Sequence, residues 1–201
     1  MSKKKKKLII IGASGHGKVV ADIALLNGYD EIVFLDDDEN IKDCAGFPVV
    51  GKTSEAHKMD GDKIIAIGNA RIREKLQGAL HTVTLIHPQA VIGRNVNIGE
   101  GTVVMAGAVI NSETRIGKGC IINTCASVDH DCVVGDYVHV AVGSHICGTV
   151  HVGNRTWIGA GSTVSNNINI SNDVIIGAGT IVVKDIDEEG TYVGVPSKKI
   201  K

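Results

Sequence analysis

Aromatic residues are nearly missing from this 201-residue chain; two Phe, one Trp and three Tyr make up 3% of it. Aromatic side chains carry much of the burial in most globular cores, so with 43% hydrophobic residues the interior must be built from Ile, Val and Ala. Neither sign of charge prevails. Lys and Arg number 21 and Asp and Glu 22, a formal net charge of −1, which argues against general nucleic-acid binding. No apolar run approaches the length of a membrane span or of a signal peptide. The five cysteines, Cys44, Cys120, Cys125, Cys132 and Cys147, contain no CxxC spacing, so a reduced, cytoplasmic protein is the expectation. The one basic run, Lys3 to Lys7, is read as a solvated arm before the first strand rather than as a membrane or phosphate contact.

What the chain does have is a repeat. From Ile92 to Val182 every sixth residue is Ile or Val without a skip. Four residues after each stands a small or aliphatic side chain, such as Thr102, Ala108, Thr114 and Cys120. Alternation along a short strand points these two positions inward and the residue between them outward. Three strands and three corners close a triangular coil of about eighteen residues, and coils stack by backbone hydrogen bonds. Antiparallel hairpins would want turns every eight to twelve residues instead. Gly often follows the aliphatic, as at Gly93, Gly99, Gly117 and Gly135, and is assigned here to the tight corner. Cys120 and Cys132 fall at inward small positions and are read as core thiols. His139, His145 and His151 each precede an inward aliphatic, so they point outward on three successive faces and cannot gather a metal within one chain. His130 falls at a corner, flanked by Asp129 and Asp131, either of which can raise its pKa and make it a better base.

Ahead of the repeat the chain alternates strand and helix. Strands are expected at Leu8 to Ile11, Ile32 to Leu35, Lys63 to Ile67 and Thr82 to Ile86. Helices are expected at Lys18 to Asn27, with Gly28 as its stop, and at Ala70 to Leu80, with Ile72 and Leu76 on one face. The pattern is that of a small parallel, Rossmann-like sheet. Gly12-Ala13-Ser14-Gly15-His16-Gly17 lies between the first strand and the first helix, where free N–H groups favour phosphate. Its GxxGxG order is not the dinucleotide fingerprint. Asp36-Asp37-Asp38-Glu39 ends the next strand, where a carboxylate can bind ribose or a base. The alternative is a structural turn and a solvated acidic loop.

These stretches, with Phe34-Leu35-Asp36-Asp37, Ile67-Gly68-Asn69, Asp129-His130-Asp131-Cys132, Gly135-Asp136-Tyr137-Val138-His139 and Val193-Gly194-Val195-Pro196, recur in order in one family. The chain resembles the bacterial nucleotide-sugar acetyltransferases of the sialic-acid O-acetyltransferase type, above all the UDP-4-amino-sugar N-acetyltransferases of the bacillosamine pathway. The resemblance covers nearly the whole chain. It implies a nucleotide-sugar-binding α/β domain at 1–87 and a left-handed parallel β-helix at 88–201. It also implies a homotrimer with acetyl-CoA bound between prisms, and acetyl transfer to a nucleotide-linked 4-amino sugar, UDP being the implied nucleotide. By the same resemblance His130 is the base and Asp131 its acid, standing where the bacillosamine enzyme has Glu. Ser14, Gly15, His16, Asp36, Asp37 and Gly68 match sugar-nucleotide contacts. His139, Gly148, Ala160 and Ala178 match the acetyl-CoA side. No metal is expected. O-acetylation of a sialic acid, a zinc hydratase on the same prism and a non-catalytic nucleotide-sugar-binding scaffold are the competing readings.

Overall fold

The computed structural model describes residues 6–201; most of the Lys3–Lys7 run, Lys3 to Lys5, lies outside them. The chain passes from one compact unit to a second at Pro88–Gln89. In the first unit, strands β1 (Lys7–Ile11), β2 (Glu31–Leu35), β3 (Asp43–Cys44), β4 (Phe47–Gly51) and β5 (Asp62–Ile65) form one sheet in the order β3-β4-β2-β1-β5. β1 pairs in parallel with β2 and β5, β2 in parallel with β4, and only β3 runs antiparallel. Helices α1 (Gly15–Leu26) and α2 (Ala70–Gln77) follow β1 and β5, with a 3-10 turn at Thr53–Lys58 between them.

Side-chain alternation divides β1 between two faces. Ile9 and Ile11 join Val33, Leu35, Ala56 and Ile65 in one buried cluster, against which Leu76 of α2 packs. Phe34 faces α1, close to Gly17. Helix α1 buries Val20, Ala21, Ile23 and Ala24, while Val19 and Leu26 stay exposed. It stops where expected. Gly28 is left-handed at φ 78°, its N–H bonds Leu25 O at 3.0 Å and Tyr29 N–H bonds Ala24 O at 3.1 Å, the Schellman closure. Two expectations fail here. On α2 the buried residues are Arg73 and Gln77, and Ile72 is exposed. The strand expected over Thr82–Ile86 shrinks to β6 (Leu85–Ile86), because a short apolar run does not by itself fix strand length.

The second unit is a left-handed parallel β-helix. From Val91 to Val182 its short strands pair in parallel with strands eighteen residues away, as Val109 does with Val91 and Ser127. One face carries Val91–Ile92 through Ile181–Val182, the second Asn97–Ile98 through Asn169–Ile170, and the third Val103–Val104 through Val174–Ile176. The inward aliphatics from Val104 to Val182 are all buried. At the end of the prism Gly190–Val193 extends the third face in parallel, and Lys198–Lys199 closes it antiparallel.

The corners differ from expectation in their mechanics. From Asn95 to Gly179 every sixth residue is left-handed, with φ between 55° and 69°. That residue stands two places after the Gly assigned to the corner. Many of these positions hold Asn, Asp, Glu, Thr, Arg or Tyr, at about 1–2 kcal/mol each relative to glycine. From Glu113 onward each offsets that cost with a bond to the coil before it, as Asp131 N does to Ser112 O at 3.2 Å and Arg155 N to Asp136 O at 2.8 Å. The earlier Gly serves coil spacing instead: a Cβ at Gly153 would meet Asn172 N at 2.5 Å, and one at Gly99 would meet Lys118 N at 2.5 Å.

Inward Thr, Ser and Cys are buried because their polar atoms are used. Thr114 Oγ1 donates to Asp129 O at 2.6 Å and accepts from Cys132 N at 3.1 Å. Thr156 Oγ1 donates to Ser171 O at 2.9 Å and accepts from Val174 N at 3.3 Å. The thiols of Cys120 and Cys132 donate to Gly135 O and Cys147 O, both at 3.1 Å, and burial pushes the Cys132 thiol pKa up. Thr156→Val keeps the shape but orphans a buried carbonyl and a buried N–H, so chemical denaturation should show a loss of about 2 kcal/mol or more.

Candidate functional site

His130 sits immediately before a left-handed corner residue, Asp131, at φ 58°. Asp is one of the few residues that tolerate that region, and the turn folds its carboxylate back onto the preceding ring. His130 Nδ1 and Asp131 Oδ2 are 2.7 Å apart, with both side chains more than half exposed. Asp129 takes a different part. Its Oδ1 accepts from His130 N at 2.8 Å and from Asn111 Nδ2 at 2.7 Å, so it holds the backbone rather than the ring. The geometry thus separates the two flanking acids. The Asp131 hydrogen bond, with the Asp129 charge behind it, raises the His130 pKa above the ordinary histidine value. The bonds from Asn111 and from the His130 N–H hold Asp129 below the usual carboxylate range. Asn111 was not singled out from the sequence. Its signal is a place eighteen residues before Asp129, one coil away.

With Nδ1 turned to Asp131, the imidazole presents Nε2 outward over Gly148, one coil further on. A Cβ on Gly148 would lie 2.7 Å from both Cε1 and Nε2, so the absent side chain is what lets the ring rest there. Ala160 and Ala178 do not join this group. They are exposed and stack on another edge of the prism, where Gly161 N bonds Val142 O and Gly179 N bonds Ala160 O, each at 2.9 Å. His139 lies on the face leading to that second edge. Its ring is 4.5 Å from Trp157 between centroids, and Nε2 is 3.0 Å from Asn123 Nδ2. His145 and His151 are exposed on the other two faces. Among the described residues no group of three or more His, Cys, Asp or Glu is placed to hold a metal ion.

In the first unit, Ser14 precedes α1 without capping it through its side chain, and first-turn N–H groups have no intrahelical partner. Gly15 and Gly68 both face open space, with nothing within 4 Å of a built Cβ. Gly12, left-handed at φ 109°, and Gly17 have no such room; their role is to let loop, strand and helix pack. Burial, helped by the Arg73 guanidinium, pushes the His16 pKa down to about 4, so the ring is neutral at physiological pH. His16 Nε2 is buried without a hydrogen-bond partner. Arg73 Nη1 donates to Gly68 O at 2.7 Å and to Ile67 O at 3.0 Å.

The acids are more occupied than the sequence suggests. Asp36 Oδ2 accepts from Ala13 N at 2.7 Å and Oδ1 from Asp38 N at 2.9 Å, which ties the glycine loop to the end of β2. Asp37 Oδ1 accepts from Thr53 N at 3.0 Å and from Thr53 Oγ1 at 2.9 Å. A cavity of about 520 Å³ opens beside Asp36, lined also by Asp38, Ile41, Lys42, Val50 and Lys52. Of the residues expected at the sugar-nucleotide site, Asp36 alone lines it.

A Gly-loop α/β unit followed by a hexapeptide prism with an acid-paired corner histidine defines a class of two-unit acyltransferase. Residues 7–80 match the model of the PglD N-terminal domain. The acetyltransferase domain of PglB from Neisseria gonorrhoeae, solved in complex with acetyl coenzyme A, is 38% identical. The alignment covers 98% of this chain and 100% of that one, with a TM-score of 0.93. PerB from Caulobacter crescentus, solved with CoA and GDP-perosamine, is 37% identical over 97% of each chain, TM-score 0.91. A UDP-N-acetylbacillosamine N-acetyltransferase from Bacillus subtilis is 35% identical over 113 residues, 50% of this chain and 52% of the relative, so this match spans about half the curated protein. The chain belongs to the bacterial nucleotide-sugar N-acetyltransferase family.

The Asp131 contact has a direct test. Replacing Asp131 by Asn removes the charge that favours imidazolium, so NMR titration of the His130 ring should show its pKa fall. An unchanged pKa would mean that the pair does not form in solution.

Proposed function

We propose that the chain transfers the acetyl group of acetyl-CoA to the amino group of a nucleotide-linked 4-amino sugar, with His130 as general base. The observation that carries this is the ring of His130, held by Asp131 at Nδ1 and presenting Nε2 over the side-chain-free Gly148. In that arrangement Nε2 takes the proton from the attacking amine, and Asp131 stabilises the imidazolium that forms. The C–N bond forms, the C–S bond of the thioester breaks, and CoA leaves as its thiol. No nucleophilic side chain is needed, so both substrates are present together.

In this reading Ser14, Gly15, His16, Asp37 and Gly68 hold the sugar nucleotide, and Asp36 fixes the loop that receives the phosphates. His139, Ala160 and Ala178 belong to the acetyl-CoA side. Ala160 and Ala178 stand on a different edge from His130 and Gly148, with His139 on the face leading to it, which supports a homotrimer in which one copy's His130 edge faces another's Ala160 edge. The two relatives with named sugars act on, or are bound to, different nucleotides, UDP in one name and GDP in the other. UDP is the first to test here. The free thiols support a cytoplasmic setting. Among the described residues no helix is long and apolar enough to cross a membrane.

Mixing acetyl-CoA with UDP-, GDP- and CMP-linked amino sugars and following CoA release tests the activity. Within it, His130→Ala should lower kcat by about 10²–10⁴-fold; near-normal turnover would remove His130 as the base. Gly15→Val should raise KM for the sugar nucleotide about tenfold while kcat and the KM for acetyl-CoA hold, because phosphate contacts bind ground and transition states alike. A free amino sugar that reacts as well as its nucleotide conjugate would instead dismiss the first unit as the acceptor domain.

A further inference from the structure

The strongest unassigned feature lies one coil beyond Gly148. His130, Gly148 and Asn166 take the same place in three successive coils, each two residues after an inward aliphatic. The missing Cβ of Gly148 would stand 2.7 Å from His130 Nε2 and 3.3 Å from Asn166 Nδ2. The glycine therefore leaves a narrow notch, with the imidazole on one wall and a carboxamide on the other.

A neighbouring edge of the same prism shows what such side chains ordinarily do. There the equivalent places hold Asp136, Asn154 and Asn172, and each caps the N–H of the preceding coil. Asp136 Oδ1 accepts from Lys118 N at 3.0 Å, Asn154 Oδ1 from Asp136 N at 2.8 Å, and Asn172 Oδ1 from Asn154 N at 2.7 Å. At the His130 edge the matching bond from Gly148 N to Asn166 Oδ1 is not made. Among the described residues neither the Gly148 N–H nor the Asn166 carboxamide has a hydrogen-bond partner. The neighbouring edge consumes these groups, whereas here two donors are left free beside the acid-paired His130.

We propose that Asn166 is a catalytic residue whose Nδ2–H, with the Gly148 N–H, donates to the thioester oxygen as it becomes negative. This rests on His130 acting as the base. As the amine nitrogen bonds to the carbonyl carbon, the C=O electron pair moves onto oxygen, and His130 Nε2 takes the amine proton. The pair then returns, the C–S bond breaks, and the sulfur leaves with the proton from His130. Donors fixed in place around the developing oxyanion act chiefly in the transition state. A carboxamide suits this position because it donates without carrying a charge that would compete for the proton on His130.

The test is steady-state kinetics of Asn166→Ala and of the near-isosteric Asn166→Asp with acetyl-CoA and a UDP-linked 4-amino sugar, alongside His130→Ala. Asn166 is exposed, so both variants should fold, and thermal melts check this. In Asn166→Ala kcat should fall about 10²-fold, the scale for loss of one oxyanion donor, with both KM values within about twofold. Asn166→Asp should fall at least as far, because it replaces a donor with a negative charge. Parent-like kcat in Asn166→Ala, or an effect confined to KM, overturns the proposal even if His130→Ala is inactive. Parent-like turnover in His130→Ala overturns the base reading instead, so the two failures are distinguishable.

Discussion

The structure depends on how closely one coil can lie on the next. Stacked strands sit about 4.8 Å apart, and at each corner from Glu113 onward a left-handed residue donates its N–H to the coil below, as Thr149 N does to His130 O at 2.9 Å. Everything placed near that contact must be small or must bond across it. The glycines after the inward aliphatics, the inward hydroxyls and thiols, and the Asp–Asn ladder at 136, 154 and 172 all meet that condition. The site arises where the condition is met unusually. A glycine at 148 admits an imidazole from the coil below, and the Gly148 N–H and the Asn166 carboxamide beside it are left unbonded.

Much of the prism was legible because its constraint repeats. A six-residue period identifies the inward positions one by one, and it placed His139, His145 and His151 on three separate faces. The period did not say which corner residue turns left-handed. Gly at 93, 99 and 117 invites a dihedral explanation, and only the coil stacked above shows that it answers a contact between backbones. The first unit was less legible. Arg73 is buried on α2 in place of Ile72 because its guanidinium reaches the carbonyls of Ile67 and Gly68, a tertiary demand that helical periodicity does not carry.

The site was half legible for the same reason. A histidine between two aspartates is visible in any reading of the chain. Which acid takes the ring follows from Asp131 occupying the left-handed corner while Asp129, clamped by Asn111, does not. Residues eighteen apart are remote on paper and adjacent in the prism, so Asn111 and Asn166 escape a motif search and emerge from stacking. Asp36 shows the reverse case. Its position at the end of β2 suggests a ligand contact, and the bonds that both its oxygens accept from the protein's own backbone, while it lines the cavity, come to light only in the fold.

The end of the prism has one more consequence. A parallel β-helix leaves a row of unpaired backbone groups at its final coil, the kind of edge onto which another chain can add strands without limit. Here Gly190–Val193 continues the third face for one further strand, and Lys198–Lys199 then turns back antiparallel beside it. The reversal spoils the register that a second prism would need, and of the two exposed lysines on that strand Lys199 is paired with Glu188 at 2.7 Å. The hairpin thus leaves the third face a poor template for a further parallel strand, while the coils stay stacked within the chain.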